Sequence, residues 1–125
     1  MGRGSDGGEN MNKYDEIKLR LQKFSADRDW DQFHSPKNLV MALSAEVGEL
    51  IEHFQWLTEK QSESIEANKL NEIQEEIADV EIYLIRLADK LGINIQEAVV
   101  SKIEQNEHKY PAQMVKGSSR KYTEY

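Results

Sequence analysis

Apolar residues recur at Leu70, Ile73, Ile77, Val80, Leu84, Leu87 and Leu91, at spacings of 3, 4, 3, 4, 3 and 4, with no glycine or proline between them. Only a helix brings residues at that period onto one face, and a seam of this heptad kind demands another helix against it. The chain must therefore fold around paired helices. Just upstream, Ser35 before Pro36 predicts an N-cap with proline at the first helical position. Leu39, Leu43, Val47, Leu50, Phe54 and Leu57 then carry a second apolar stripe, which extends this helix to Leu57.

Tyr14, Ile17, Leu21 and Phe24 mark an earlier helix, which breaks into the turn-rich connector "DRDWDQFHSPKN". "TEKQSESIEANK" reads as a polar connector or a frayed helical start. Gly92 stands where a C-terminal cap belongs, Asn94 can cap a fourth helix carrying Ile95, Ala98, Val99 and Ile103, and Pro111 closes it. No stretch reads as a strand. The expected fold class is all-α, a four-helix bundle whose wide apolar stripes are completed by oligomerisation. Residues 1–10, "MGRGSDGGEN", are expected to be a disordered leader or appended tail, residues 11–112 the helical domain, and residues 113–125 a basic C-terminal tail.

Composition narrows the chemistry. At 125 residues the chain is expected to hold one core and one site. The absence of cysteine removes disulfides, thiolate metal sites and cysteine nucleophiles, leaving carboxylates, three histidines and neutral oxygens as ligands, a set that favours hard cations such as Mg²⁺. A formal net charge of -7 argues against DNA or RNA as the main partner. No apolar run approaches a membrane span, and the first ten residues lack the apolar centre of a signal peptide, so a cytoplasmic location is expected.

Within "SAEVGELIEHFQW", Glu46 and Glu49 lie on one edge of the apolar stripe, with His53 one turn on. "EEIADVEIY" repeats the arrangement, Glu76 and Asp79 flanking the next stripe with Tyr83 one turn beyond. Two facing helices would converge four carboxylates, which repel and take up protons unless a cation neutralises them. A chain with 23 acidic residues has many such pairs on solvated helix faces, so both a metal site and a plain acidic surface remain open on periodicity alone.

"EVGELIEHFQW" followed by "EEIADVEIYLIRLADKLGINI" closely resembles the MazG-like nucleotide pyrophosphohydrolases of the all-α NTP pyrophosphatase superfamily, with ExxE on one helix and ExxD on the next, and is most similar to the dCTP pyrophosphatase branch. The resemblance extends to "RDWDQFHSPKNL", "KIEQNEHKYP" and "KGSSRKYTEY". It implies a four-helix MazG-like bundle and an enzyme that converts a nucleoside triphosphate, with dCTP expected, to the monophosphate and pyrophosphate in nucleotide-pool house-cleaning. By this resemblance Glu46, Glu49, Glu76 and Asp79 are the catalytic Mg²⁺ ligands, with Mn²⁺ as a substitute, and Glu75 is a candidate base or orienting group. The longer EExxE form found in much of the family is absent, Ala45 standing before Glu46. The resemblance also implies a tetramer built from two dimers.

For the substrate, Lys102, Asn106 and Lys109 share a face at the end of the fourth helix with Tyr110 beside them, similar to the family's KxxxNxxKYP pattern. Lys121 and Tyr122 resemble its C-terminal phosphate-side segment. Trp30 and Trp56 are candidates to stack on the base, His34 and Gln32 to hydrogen-bond it, and Tyr83 to wall the sugar. The alternatives are a dUTP or phosphoribosyl-ATP pyrophosphohydrolase, or a non-enzymatic adaptor dimerising through the Leu70 to Leu91 seam. A di-iron carboxylate bundle lacks its Glu-x-x-His pairs here.

Overall fold

A computed structural model describes residues 11–117. Its elements are α1 (Lys13–Asp27), a 3₁₀ turn (Asp31–Phe33), α2 (Pro36–Glu52), α3 (Glu59–Ser62), α4 (Ala67–Leu91), α5 (Ile95–Lys109) and α6 (Ala112–Val115), with no strand among the described residues. They fall into two compact units, one ending at Gly92 and the other beginning at Ile93.

The first unit is built on α4. Helix α2 packs along it, and α1 packs against it as well. The polar caps fix where each helix begins: Asn12 Oδ1 accepts from the Asp15 amide at 2.8 Å and Ser35 Oγ from the Asn38 amide at 3.2 Å, satisfying backbone donors that would otherwise be orphaned. Gly92 ends α4 at φ 69°, a left-handed conformation that a residue without Cβ adopts freely.

Helix α2 stops at Glu52, short of the Leu57 predicted from the apolar stripe. The cause lies just downstream. Thr58 caps α3 in extended conformation, with its side chain on the Gln61 amide at 3.1 Å and the Gln61 side chain returning to the Thr58 amide at 2.9 Å. The chain must leave the helix to reach that capping box, and residues 53–57 do so as a run of turns. The connector expected to be irregular therefore contains a helical turn of its own.

The α4 seam divides into two rows. Ile73 is buried and Val80 and Leu87 are partly buried, whereas Leu70, Ile77, Leu84 and Leu91, seven residues apart, are exposed. The inward rows carry more than apolar residues. On α2 the row is Leu39, Leu43, Glu46 and Leu50, and on α4 it is Ile73, Glu76, Val80 and Tyr83, so a carboxylate stands inside each packed stripe.

In the second unit, Asn94 Oδ1 accepts from the Glu97 amide at 3.0 Å and starts α5. Lys102, Asn106 and Lys109 follow on successive turns, and the Tyr110 amide bonds the Asn106 carbonyl at 2.8 Å. Lys121 and Tyr122 lie outside the described residues.

Leu39 is only 1% exposed, so Leu39→Ala is expected to lower unfolding stability by about 2–5 kcal/mol. Gly92→Ala is expected to cost about 1–2 kcal/mol through its left-handed backbone. Urea titration monitored by circular dichroism measures both.

Candidate metal centre

Helix α2 rises by a turn between Glu46 and its neighbour Glu49, and α4 supplies Glu76 from the facing row. One carboxylate oxygen from each of the three lies within 4.8 Å of the others. Glu46 and Glu76 are partly buried and Glu49 is exposed. His53 approaches from the turn after α2, with Nε2 4.0 Å from Glu76 Oε1. The other oxygen of Glu76, Oε2, is buried and has no hydrogen-bond partner.

Burial first, then the charges of Glu49, Asp79 and Glu76, raise the Glu46 carboxyl above its ordinary pKa. Glu76 is raised by burial and then by Glu49, with His53 acting in the opposite sense. A divalent cation fits this site. Its charge would offset the crowding, it would engage the orphaned Glu76 oxygen, and a donor set of carboxylates suits a hard ion. Glu46, Glu49 and Glu76 are the residues that could hold it.

Asp79 does not share that triangle, although its charge reaches both Glu46 and Glu76. It lines a neighbouring cavity of about 380 Å³ together with Trp30, His34, Tyr83, Arg86 and the buried Ser25. The loop after α1 shapes this cavity. Asp29 takes φ 57°, a conformation aspartate tolerates, and Gln32 Nε2 donates to its carbonyl at 2.9 Å, while the Trp30 amide returns to the Ser25 carbonyl at 2.9 Å. The Trp30 ring sits edge-on to Phe24 at 5.6 Å and to His34 at 6.5 Å. Trp56, proposed from sequence as a second stacking residue, is not among the residues lining this cavity. It stands 86% exposed in the turns after α2.

Arg86 is the residue that sequence reasoning passed over. It is 4% exposed, and its Nη2 lies 2.9 Å from Asp31 Oδ1 while its Nη1 lies 3.5 Å from Asp89 Oδ2. Asp89 also accepts from Gln22 Nε2 at 2.8 Å, which ties α1 to this network. The signal was present: Asp79, Tyr83 and Arg86 are spaced 4 and 3 apart and so share a helical face. Burial lowers the proton affinity of the adjacent His34, and Arg86 lowers it further.

Residues 41–125 match the MazG-like family. Over 112 residues the chain is 44% identical to dCTP pyrophosphatase 1 of Homo sapiens and 42% identical to that of Mus musculus, in each case covering 88% of this chain and 66% of the relative. The crystal structure of a pyrophosphatase from Archaeoglobus fulgidus is similar with a TM-score of 0.78 and 41% identity, covering 82% of this chain and 96% of that one. The chain belongs to the MazG-like family, and its all-α fold is the one this resemblance implies. It spans about two thirds, 66%, of the length of the curated relatives it matches.

Because Glu46 and Glu76 bind protons more tightly in the folded chain than in the unfolded one, the folded state holds the extra protons between their ordinary value of 4.5 and their raised values. Metal-free stability is therefore expected to increase as the pH falls through that interval, with the full penalty present above it. Glu76→Gln is expected to raise the metal-free melting temperature at pH 7 and to flatten this pH dependence. Differential scanning calorimetry across pH 4.5–7.5 reads both effects.

Proposed function

We propose that this chain is a nucleoside triphosphate pyrophosphohydrolase with Mg²⁺ as its ion, Mn²⁺ able to substitute, and dCTP as the preferred substrate, acting in nucleotide-pool house-cleaning. The observation that carries the reading is the carboxylate triangle with its orphaned Glu76 oxygen, placed one helical turn from a cavity lined by Trp30, His34 and Tyr83. The relatives named dCTP pyrophosphatase 1 support the choice of substrate.

Glu46, Glu49 and Glu76 would hold the ion, with Asp79 as the fourth ligand that the family signature implies. Bound there, a divalent ion supplies Lewis-acid charge that offsets negative charge developing on phosphate oxygens. The protein's own groups do the rest. Glu49, the exposed member of the triangle, or Glu46 accepts the proton of the water that attacks the α-phosphorus, releasing pyrophosphate and leaving the monophosphate. Trp30 offers a face to the base, and Tyr83 stands between the carboxylates and Arg86 on α4, where a sugar would lie. Likeness to the family pattern supports Lys102, Asn106, Lys109, Tyr110, Lys121 and Tyr122 as phosphate-side residues, and the same likeness supports Trp56 in base binding.

The exposed row Leu70, Ile77, Leu84 and Leu91 supports association with further copies, as a tetramer built from two dimers. Light scattering at micromolar concentration is expected to give a species larger than the monomer, and a monomer overturns that part of the reading.

Reaction of dCTP in ¹⁸O-labelled water with Mg²⁺ is expected to place the label in the monophosphate and to release unlabelled pyrophosphate. Label in free orthophosphate instead refutes the assignment. Glu49→Ala and Asp79→Ala are each expected to lower kcat by about 10² or more, the scale of losing one transition-state contact, while the chain still melts cooperatively.

A further inference from the structure

The loop between α1 and α2 brings Trp30 and His34 to the 380 Å³ cavity, and α4 brings Asp79, Tyr83 and Arg86. The shape of the cavity therefore depends on how the loop is held against α4. Two contacts hold the loop to its flanking helices. The Trp30 amide donates to the Ser25 carbonyl on α1 at 2.9 Å, and Asn38 Nδ2 on α2 donates to the Phe33 carbonyl at 2.9 Å. Neither of them reaches α4.

Arg86 supplies a tie that does. Its Nη2 carries two protons and lies 2.9 Å from Asp31 Oδ1 and 3.3 Å from His34 Nδ1. Arginine has donors and no acceptor, so it donates in both contacts. Its Nη1 faces Asp89 Oδ2 at 3.5 Å, and that same oxygen accepts from Gln22 Nε2 of α1 at 2.8 Å. One planar guanidinium thus joins α1, the loop and α4. It does so at 4% exposure, where salt screens a charged contact far less than at the surface. A guanidinium also fixes the angle between its partners, which the point charge of a lysine does not. None of these contacts involves Glu46, Glu49 or Glu76.

We infer that Arg86 is a positioning residue, which seats the Asp31 to His34 segment on α4 and so holds Trp30 and His34 as a fixed wall of the cavity before a nucleotide enters. This rests on the nucleotide reading proposed above and adds to it the group that preorganises the pocket. A loop that must be ordered on binding draws on the binding energy of the ligand, so a loop already seated lowers KM and leaves the chemical step alone.

The test compares the kinetics of dCTP hydrolysis with Mg²⁺ in the wild type, Asp31→Asn, Arg86→Met and the double variant. Each single variant is expected to raise KM about tenfold with kcat changed by no more than about twofold, and the double variant to match the worse of the two, because both substitutions remove one tie. A second readout needs no substrate. In a Trp56→Phe background Trp30 is the remaining one of the chain's two tryptophans, and time-resolved fluorescence anisotropy is expected to show its motion wider and faster in Asp31→Asn than with Asp31 intact. An unchanged KM in either single variant, a loss confined to kcat, effects that multiply in the double variant, or unchanged Trp30 motion overturns the inference. Should Arg86→Met fail to melt cooperatively, Asp31→Asn decides through KM and anisotropy, since it alters the 47% exposed partner and leaves the buried guanidinium facing Asp89. A wild type that splits no nucleoside triphosphate overturns the pyrophosphohydrolase reading, and the anisotropy then still decides whether Arg86 seats the loop.

Discussion

Everything in the first unit depends on carboxylates having been set into the packed faces of two helices. A stripe of Leu39, Leu43, Leu50, Ile73 and Val80 would associate on hydrophobic grounds alone, and replacing two of its positions by Glu46 and Glu76 gives up part of that burial. The structure tolerates the exchange because α4 runs 25 residues and keeps apolar contacts on both sides of the acidic layer. What the helices lose in cohesion appears as raised proton affinity at Glu46 and Glu76 and as a buried oxygen without a donor. A cation placed there would relieve the same strain.

The α4 seam and the spacing of Glu46 with Glu49 and of Glu76 with Asp79 were legible in the sequence, since both are periodic along single helices. Caps were legible too: Ser35, Asn94 and Gly92 act through neighbours no more than four residues away. The end of α2 was not. Phe54 and Leu57 continue its apolar spacing, and only the reciprocal capping of Thr58 and Gln61, which competes for the same chain, shows that the helix must stop earlier. The asymmetry of the seam, with one row covered and the other open, was equally hidden, because spacing alone does not say how many partners a helix has.

Arg86 was missed for a different reason. On the sequence it is one cation among 16 basic residues inside an apolar run, where the usual fate is a solvated head on a snorkelling stem. Its burial comes from Asp31, 55 residues away, and Asp89, and no local pattern announces a pair that a loop and a helix make together. Trp56 is the converse case. Its neighbours suggested a helix edge, whereas the turn that holds it leaves the indole in solvent within this chain.

Because Glu76, Asp79, Tyr83 and Arg86 all project from α4, the helix acts as a ruler. Ten residues at 1.5 Å each place Glu76 and Arg86 about 15 Å apart along one stiff rod, with no joint between them. Inserting or deleting a single residue there would turn one end by about 100° relative to the other and separate the carboxylates from the cationic end of the cavity. Added chain leaves this ruler unaltered only outside α4, as in the segment between Glu52 and Ala67.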